Sequence, residues 1–381
     1  MLIFIDATNL GIGGGITHLK ELLNTYITSG YNHSLIVLAQ QKVINHLPVH
    51  HSIKYKTHKL LNRSLIYRLI FQLFVIDKLI PSKSIVFSIT GDYLGKHKPV
   101  VGMSQNMLLY ERNNWKEIKE FKEIFRFWMN FQKQRHSFSK SFGIIFLSKF
   151  ANNFISKNLN LSNKKIAIIH HGISPRFKGK VKLQKPISDY TFRNPFKILY
   201  VSTVHTYKHQ WNVVESVAQL RKKGYPVELN LVGGIIFNPA GKRLTKTINK
   251  FDPQNTFIHF HGHTSYDKID AFYHNTNGIV FASTCENMPN ILIESMASGN
   301  PIACSNKQPM PEFLEENGFY FDSYNVDSIA SAIEELLLSP QKREKMALSN
   351  LEEVKKYSWV KTANQTFNFI EKIYIEYYVQ Q

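Results

Sequence analysis

The 381-residue chain carries 47 Lys+Arg against 28 Asp+Glu, a formal net charge of +19, with 43% hydrophobic residues. That length exceeds what one hydrophobic core usually serves, so two domains are the default. Cys285 and Cys304, with no CxxC and no metal-ligand spacing, argue against a disulfide scaffold and a zinc site and point to a reduced, cytoplasmic setting. No run approaches about 18 uncharged apolar residues, and MLIFIDATNL reaches Asp6 too soon for a signal peptide, so neither a membrane span nor a leader is expected.

Charge divides unevenly. Residues 1–190 hold 28 Lys+Arg and 9 Asp+Glu, whereas residues 191–381 hold 19 of each, so the whole excess lies in the first half. Such a surface favours an anionic partner: nucleic acid, an anionic lipid face or a phosphorylated substrate. A general lysine enrichment that serves only solubility is the plain alternative.

In chain order, the apolar run LIFIDAT (2–8) predicts a strand, ITHLKELLNTYI (16–27) a helix, and SLIVLAQ (34–40) and SIVFSIT (84–90) two further strands. GIIFLS (143–148), a helix from Lys149, and KIAIIHHG (165–172) complete a first α/β unit. Residues 175–196, rich in Pro and Lys without periodicity, read as a linker. A second series follows: FKILYVS (196–202), the helix NVVESVAQLRKKG (212–224), VELNLVGG (227–234), TFIHFHG (256–262), GIVFAST (278–284) and PIACS (301–305). Strand and helix alternate in both series, which predicts two doubly wound parallel sheets, with ligands at the carboxyl ends of the strands.

Three loops at such ends carry candidate chemistry. In NLGIGGGITHLKEL, Gly13, Gly14 and Gly15 let backbone N–H groups approach an anion at a helix start, a tight turn without a ligand being the plain alternative. The pattern is not G-x-G-x-x-G, because Ile16 stands at the third glycine, and the second strand ends in Ala39-Gln40-Gln41 without a ribose-binding acid, which argues against a nicotinamide cofactor. Lys208, in the loop after FKILYVS, is a point charge that can reach a diphosphate; a solvated loop lysine is the plain alternative. The third loop, CENMPNILIESMASGN, sets Glu286 before a turn and Glu294 one turn into a helix with Asn290 as N-cap, Ile291 to Ser298 as body and Gly299 as terminator. A helix start offers N–H groups and positive dipole to a diphosphate, while carboxylates accept from sugar hydroxyls. The combination suits a nucleotide sugar; plain helix capping with a surface Glu is the alternative if the motif stood alone.

The residues resemble the retaining glycosyltransferases of family 4. The E-x7-E pattern ENMPNILIE (Glu286 to Glu294) is followed by SMASGNPIACS and PMPEFL, and IIHHGISPRF, LNLVGG and FHGHTSYDKIDAFYHNTNGIVFAST precede it in the family's order; YSWVKTANQTFNFIEKIY looks like its closing helix. The resemblance is specific over the second half and architectural over the first. It implies the α/β GT-B fold: two facing Rossmann-like doubly wound domains with a cleft between them. The N-terminal, acceptor-binding domain would span 1–185 and the C-terminal, donor-binding domain 195–365, with a 366–381 helix that packs back on the first.

By the same resemblance Glu294 would hold the nucleotide ribose and Glu286 the hydroxyls of the transferred sugar, with Lys208 and the Gly13–Gly15 loop on the diphosphate. Ser202, Thr203, Asn287, Met288, Asn290 and Ile291 would complete the donor side, and Gln105, Asn106, His171 and Gly172 the acceptor side or interdomain cleft. Two departures stand out: Thr203 lies where relatives often carry an arginine, which shifts charge neutralisation to the helix start or to Lys149, and Gln105 lies where they commonly show histidine.

The implied activity is metal-independent hexosyl transfer with retention, from a nucleoside-diphosphate sugar to a glycan or polyprenyl-diphosphate-linked acceptor, in O-antigen or capsule assembly. Nucleotide sugar is then the co-substrate and no cofactor or metal is expected, since no D-x-D occurs. A GT-B epimerase would leave the basic half unexplained, and a nucleic-acid binder lacks an aromatic RNA-binding strand or a basic recognition helix. Two segments, 59–80 and 115–138, are apolar and basic at once. In the second, Trp115, Ile118, Phe121, Phe125 and Trp128 recur at three or four residues among Lys116, Lys119, Lys122, Arg126, Lys133 and Arg135. An interfacial helix is built this way, so peripheral attachment to the inner face of an anionic membrane is expected; packing on the first sheet is the plain alternative.

Overall fold

The computed structural model describes residues 1–11, 14–118 and 120–379. In chain order the elements are β1 (Leu2–Ala7), α1 (Gly14–Ser29), β2 (Ser34–Ala39), α2 (Gln41–Ile44), β3 (Ile53–Lys56), α3 (Leu65–Phe74), β4 (Ile85–Ser88), β5 (Val100–Met103), α4 (Phe121–Lys140), β6 (Gly143–Phe146), α5 (Lys149–Leu159) and β7 (Lys165–Ile168). There follow β8 (Phe196–Val201), α6 (Gln210–Lys222), β9 (Val227–Val232), α7 (Asn238–Phe251), β10 (Ile258–Gly262), α8 (Ile269–His274), β11 (Gly278–Phe281), α9 (Asn290–Ala297), β12 (Ile302–Ser305), α10 (Met310–Leu314), β13 (Phe319–Phe321), α11 (Val326–Leu338), α12 (Pro340–Glu353) and α13 (Trp359–Tyr378).

Two compact units result. The first comprises Met1–Arg112, Lys119–Gly172 and Tyr357–Gln381, the second Asn113–Ile118 and Ile173–Lys356. Each holds one parallel sheet, in the order β3-β2-β1-β4-β5-β6-β7 in the first and β10-β9-β8-β11-β12-β13 in the second. The strand order reverses between β1 and β4 and between β8 and β11, the positions where doubly wound sheets take ligands. Central strands β4, β5, β6, β11 and β12 are buried at every residue, which explains their unbroken apolar runs. Lysines mark the edges, Lys54 in β3 and Lys165 in β7, where a strand meets water.

Residues 175–196 are not a linker, and the units divide at 172/173 and 356/357 instead of within 185–195 and at 365/366. The run is tied down inside the second unit. Phe177 is wholly buried against Tyr266 and Tyr273, Gly179 N–H donates to Ala297 O at 2.9 Å, and Lys182 donates to the carbonyls of His274 and Thr276. The buried Arg343 guanidinium meets Gln184 Oε1 at 2.9 Å and Lys185 O at 2.5 Å. Partners so distant in sequence leave no periodic signature.

Closing helix α13 packs on the first unit. Ser358 caps it by accepting from Lys361 N–H, Thr362 Oγ1 donates to His170 O at 2.7 Å, and the Tyr378 hydroxyl lies 3.2 Å from Lys98 O. Gly143 at the start of β6 makes the approach possible: a Cβ there would sit 2.9 Å from Phe369 and 3.0 Å from Ile373. Gly143→Val should therefore overpack this junction, with a cost of about 1–3 kcal/mol, read as a lowered midpoint in chemical denaturation.

The apolar and basic segments are more divided than their sequence suggests. Arg112–Glu117 forms a 3-10 turn and α4 begins only at Phe121, so 115–138 is not one amphipathic helix. Ile118, Phe127, Phe131 and Phe138 are buried, whereas Phe121 is 78%, Phe125 51% and Trp128 44% exposed. Phe125 stacks between Phe121 and Trp128, centroids 6.4 and 5.9 Å away. Helix α3 buries Phe71 and Gln72 and leaves Leu65, Ile66, Tyr67, Ile70, Leu73 and Phe74 in water. Among the described residues no helix is long and apolar enough to cross a membrane.

Candidate functional site

Both loops at the switch point of the second sheet are held by tight backbone packing. The chain leaving β8 runs from Ser202 to His209 before α6, and the chain leaving β11 runs from Ala282 to Pro289 before α9. Gly233, after β9, has φ +145°, and a Cβ there would lie 2.0 Å from Ser202 O; only glycine permits so close an approach. Thr284 N–H donates to Tyr207 O at 2.9 Å, and the Tyr200 hydroxyl to Lys208 O at 2.6 Å.

These contacts bring Lys208 onto Glu286. The ammonium donates to Glu286 Oε1, and its charge lies 5.0 Å from the Tyr207 ring centroid and 5.6 Å from that of Phe281. Lys208 is buried. The sequence places it as a loop cation, but a cation withdrawn from water needs a counter-charge, and Glu286 supplies it. Ion pair and ring faces make a preformed polar centre at the switch point.

Glu294 lies on the buried face of α9. That helix opens one residue earlier than the sequence suggests: Pro289 is the N-cap, because its carbonyl accepts the first helical bonds from Leu292 N–H (2.8 Å) and Ile293 N–H (3.1 Å), and Asn290 is the first helical residue. The Tyr266 hydroxyl donates to Glu294 Oε1 at 2.9 Å. Burial pushes the Glu294 carboxyl up to about 7, against the downward pull of Tyr266 and the Arg176 guanidinium. Arg176 lies 4.9 Å over the Tyr266 ring and donates to Tyr266 O at 3.2 Å. Sequence reasoning missed Tyr266 and Arg176. No spacing links residues 90 positions apart, and each sits in a short 3-10 turn.

Other donor-side candidates fall around these two centres. Ser202 is buried, with Oγ donating to Thr203 O at 3.2 Å, and Thr203, itself exposed, also accepts from Gln210 Nε2 at 2.9 Å. Asn287 and Met288 are buried, and Asn290 and Ile291 half-buried.

In the first unit, Gly13 lies outside the described residues, and Gly14 and Gly15 are the first two residues of α1, not part of a loop. A Cβ on Gly15 would lie 2.7 Å from Leu10 and 3.4 Å from Gln105 Oε1, so the start of α1 meets the chain leaving β5; Gln105 Nε2 donates to Ile89 O at 3.0 Å. Asn106 caps a 3-10 turn by accepting from Leu108 N–H. His171 is buried, its ring 4.5 Å from that of His18 and 5.7 Å from Trp359, and a Cβ on Gly172 would strike Trp359 N at 2.1 Å. Both serve an interior aromatic cluster. Lys149 opens α5 on the surface. Among the described residues, no three His, Cys, Asp or Glu side chains are grouped to hold a metal ion.

The two parallel α/β units are Rossmann-like domains, and the chain has the GT-B fold of glycosyltransferases. Residues 187–350 match the family described as Glycosyl transferases group 1. The chain is 28% identical over 112 residues to O-antigen chain mannosyltransferase B of Escherichia coli, covering 29% of each chain. It is 26% identical over 168 residues to protein CapJ of Staphylococcus aureus, covering 43% of this chain and 41% of that one. These matches thus span well under half of the relatives' own length. Among solved structures, Alr3699/HepE of Anabaena in complex with UDP and glucose superimposes with a TM-score of 0.71 at 16% identity, over 98% of this chain and 99% of that one.

The buried carboxyl carries a pH signature. Glu294 holds its proton up to about 7 in the fold, against about 4.5 when unfolded. Protonation therefore favours the folded state: the contribution is complete below about 4.5 and is lost as pH rises through about 7. Asp6, raised to about 6 by burial and by Asp92, acts in the same direction, so the Glu294 part is isolated by comparison with Glu294→Gln. In urea denaturation, wild type should lose on the order of 2 kcal/mol more than the variant between pH 4.5 and 8.

Proposed function

We propose that this chain is a retaining, metal-independent hexosyltransferase of family 4 that moves a sugar from a nucleoside-diphosphate donor to a glycan or polyprenyl-diphosphate-linked acceptor in surface-polysaccharide assembly. The observation that carries the reading is the buried Lys208–Glu286 pair at the switch point of a domain matching group 1 glycosyl transferases. UDP in the Anabaena complex supports the donor class, and the likeness to an O-antigen chain mannosyltransferase supports the pathway type.

In this mechanism the donor diphosphate competes with Glu286 for the Lys208 ammonium. As the sugar enters, its hydroxyls donate to the released carboxylate, and Lys208 with the N–H groups at the start of α9 stabilises the leaving diphosphate. The ribose hydroxyls donate to Glu294, which Tyr266 already orients. As the bond from the anomeric carbon to the diphosphate breaks, the acceptor oxygen bonds to that carbon on the same face and its proton passes to the departing diphosphate, which retains configuration without a pair of carboxylates across the bond.

Incubation with a panel of UDP-, GDP- and dTDP-sugars, including a mannosyl donor, tests this. Free nucleoside diphosphate should appear, and turnover should persist in EDTA. An interconverted nucleotide sugar without diphosphate release would indicate an epimerase. Glu294→Ala should weaken UDP binding in calorimetry by about tenfold or more. Glu286→Ala should leave it equal or tighter, because Lys208 loses its competing partner, while both variants lose transfer. Equal affinity in all three proteins would sink the ribose assignment.

The chain works, in the same reading, at the inner face of an anionic membrane, with exposed Phe121, Phe125 and Trp128 on α4 and the apolar face of α3 at the acyl boundary. Each Lys or Arg near an anionic leaflet adds about 1 kcal/mol. Wild type should pellet with anionic vesicles at low salt and release at high salt. A Phe121/Phe125/Trp128→Ser variant, whose changes spare the buried Phe127 and Phe131, should stay in the supernatant. Wild type remaining soluble with those vesicles at low salt would overturn the attachment.

A further inference from the structure

Among the described residues four non-glycine positions take positive φ, namely Asn160, His209, Asn255 and Glu315, and of these His209 lies in the candidate site. It joins the 3-10 turn Thr206–Lys208 to α6 at φ 50°, ψ 30°. A side chain in that left-handed conformation costs about 1 kcal/mol or more and persists only where the surroundings hold it. Glycine would adopt the turn freely, so the imidazole must do something that offsets the strain.

What it does is visible in the contacts. His209 is buried, with Nε2 3.0 Å from Thr284 Oγ1. Thr284 Oγ1 itself lies 3.3 Å from Tyr207 O, an acceptor only, so the threonine proton points there and the imidazole donates through Nε2–H. Burial, with Arg243 nearby, lowers His209 to about 4, which keeps the ring neutral and able to hold that tautomer. The ring edges meet Trp211 at 5.8 Å and Tyr324 at 4.6 Å. A chain of donors thus runs from the residue after Lys208 to the residue two before Glu286, and back to the carbonyl of the residue before Lys208.

We propose that His209 is a positioning residue: through Thr284 it locks the loop after β8 to the loop after β11 and so fixes the register of the Lys208 ammonium against Glu286. The functional weight of this lock rests on the donor-site reading above; the lock itself does not. It predicts that the ring, not the backbone turn, is what the site requires.

Three full-length variants test it: His209→Gly keeps the left-handed turn without the ring, Thr284→Val removes the hydroxyl at constant shape, and Thr284→Ser retains it. The readouts are acetylation of Lys208 by an N-hydroxysuccinimide ester, followed by peptide mass spectrometry, and turnover of the donor panel. Lys208 should label about tenfold faster in His209→Gly and Thr284→Val, while Thr284→Ser labels like wild type and Lys182, bonded to carbonyls elsewhere in the same unit, does not change in any variant. The His209→Gly/Thr284→Val double variant should label no faster than the worse single one, since both break one lock. Unchanged Lys208 labelling in the single variants, failure of serine to preserve protection, or an additive double variant would each overturn the proposal. If labelling behaves as expected but wild type consumes no nucleotide sugar, the lock stands and the donor reading falls.

Discussion

A buried ammonium is tolerable only beside a counter-charge, and that constraint organises the second domain. Lys208 leaves water at the end of β8 and Glu286 waits at the end of β11. Removing either partner would strand a charge in a low-dielectric interior, which costs far more than the pair contributes by itself. The two loops must therefore meet. The adjacency of β8 and β11, the glycine at position 233 and the Thr284 contacts with Tyr207 can all be understood as conditions for that meeting.

The same pair gives the site its chemical character. A lysine held by a carboxylate is not a free phosphate receptor: an anion that draws the ammonium away leaves the carboxylate in need of another donor, which a hydroxyl group can supply. A ligand with both diphosphate and polyol exchanges one ion pair for two sets of charge-assisted hydrogen bonds. Glu294 follows a different logic: desolvation holds its proton, and Tyr266 and Arg176 oppose that tendency. Two carboxyls eight residues apart in sequence thus sit in distinct electrostatic environments, one paired with a cation and one buried beside the Tyr266 hydroxyl.

The first domain has its own polar centre at its own switch point. Asp6, wholly buried at the end of β1, accepts from Thr8 and Gln72, and Asp92, after β4, accepts from Asn9 at 2.8 Å. Gly15 and Gln105 gather above the neighbouring strand ends. The aromatic cluster of His18, His171 and Trp359 lies inside this domain and ties the start of α13 to α1. Its histidines pack ring to ring in this structure.

Sequence by itself determined the elements whose signal is local. Unbroken apolar runs marked the central strands because burial on both faces removes any need for polar alternation, and ENMPNILIE put two carboxyls at one turn because loop, N-cap and helix body are contiguous. Short or edge strands escaped: β3 alternates lysine with apolar residues, β5 contains a glycine, and β13 has three residues. Tertiary structure alone decided whatever depends on distance in the chain. It turned the 175–196 run from linker into a strap held by Arg343, split the aromatic rings of 121–138 between core and water, set Tyr266 on Glu294, and made Lys208 a partner instead of a free charge. Each of these is a contact between segments whose separation no period records, and their energies arise only when the sheet has already brought the segments together.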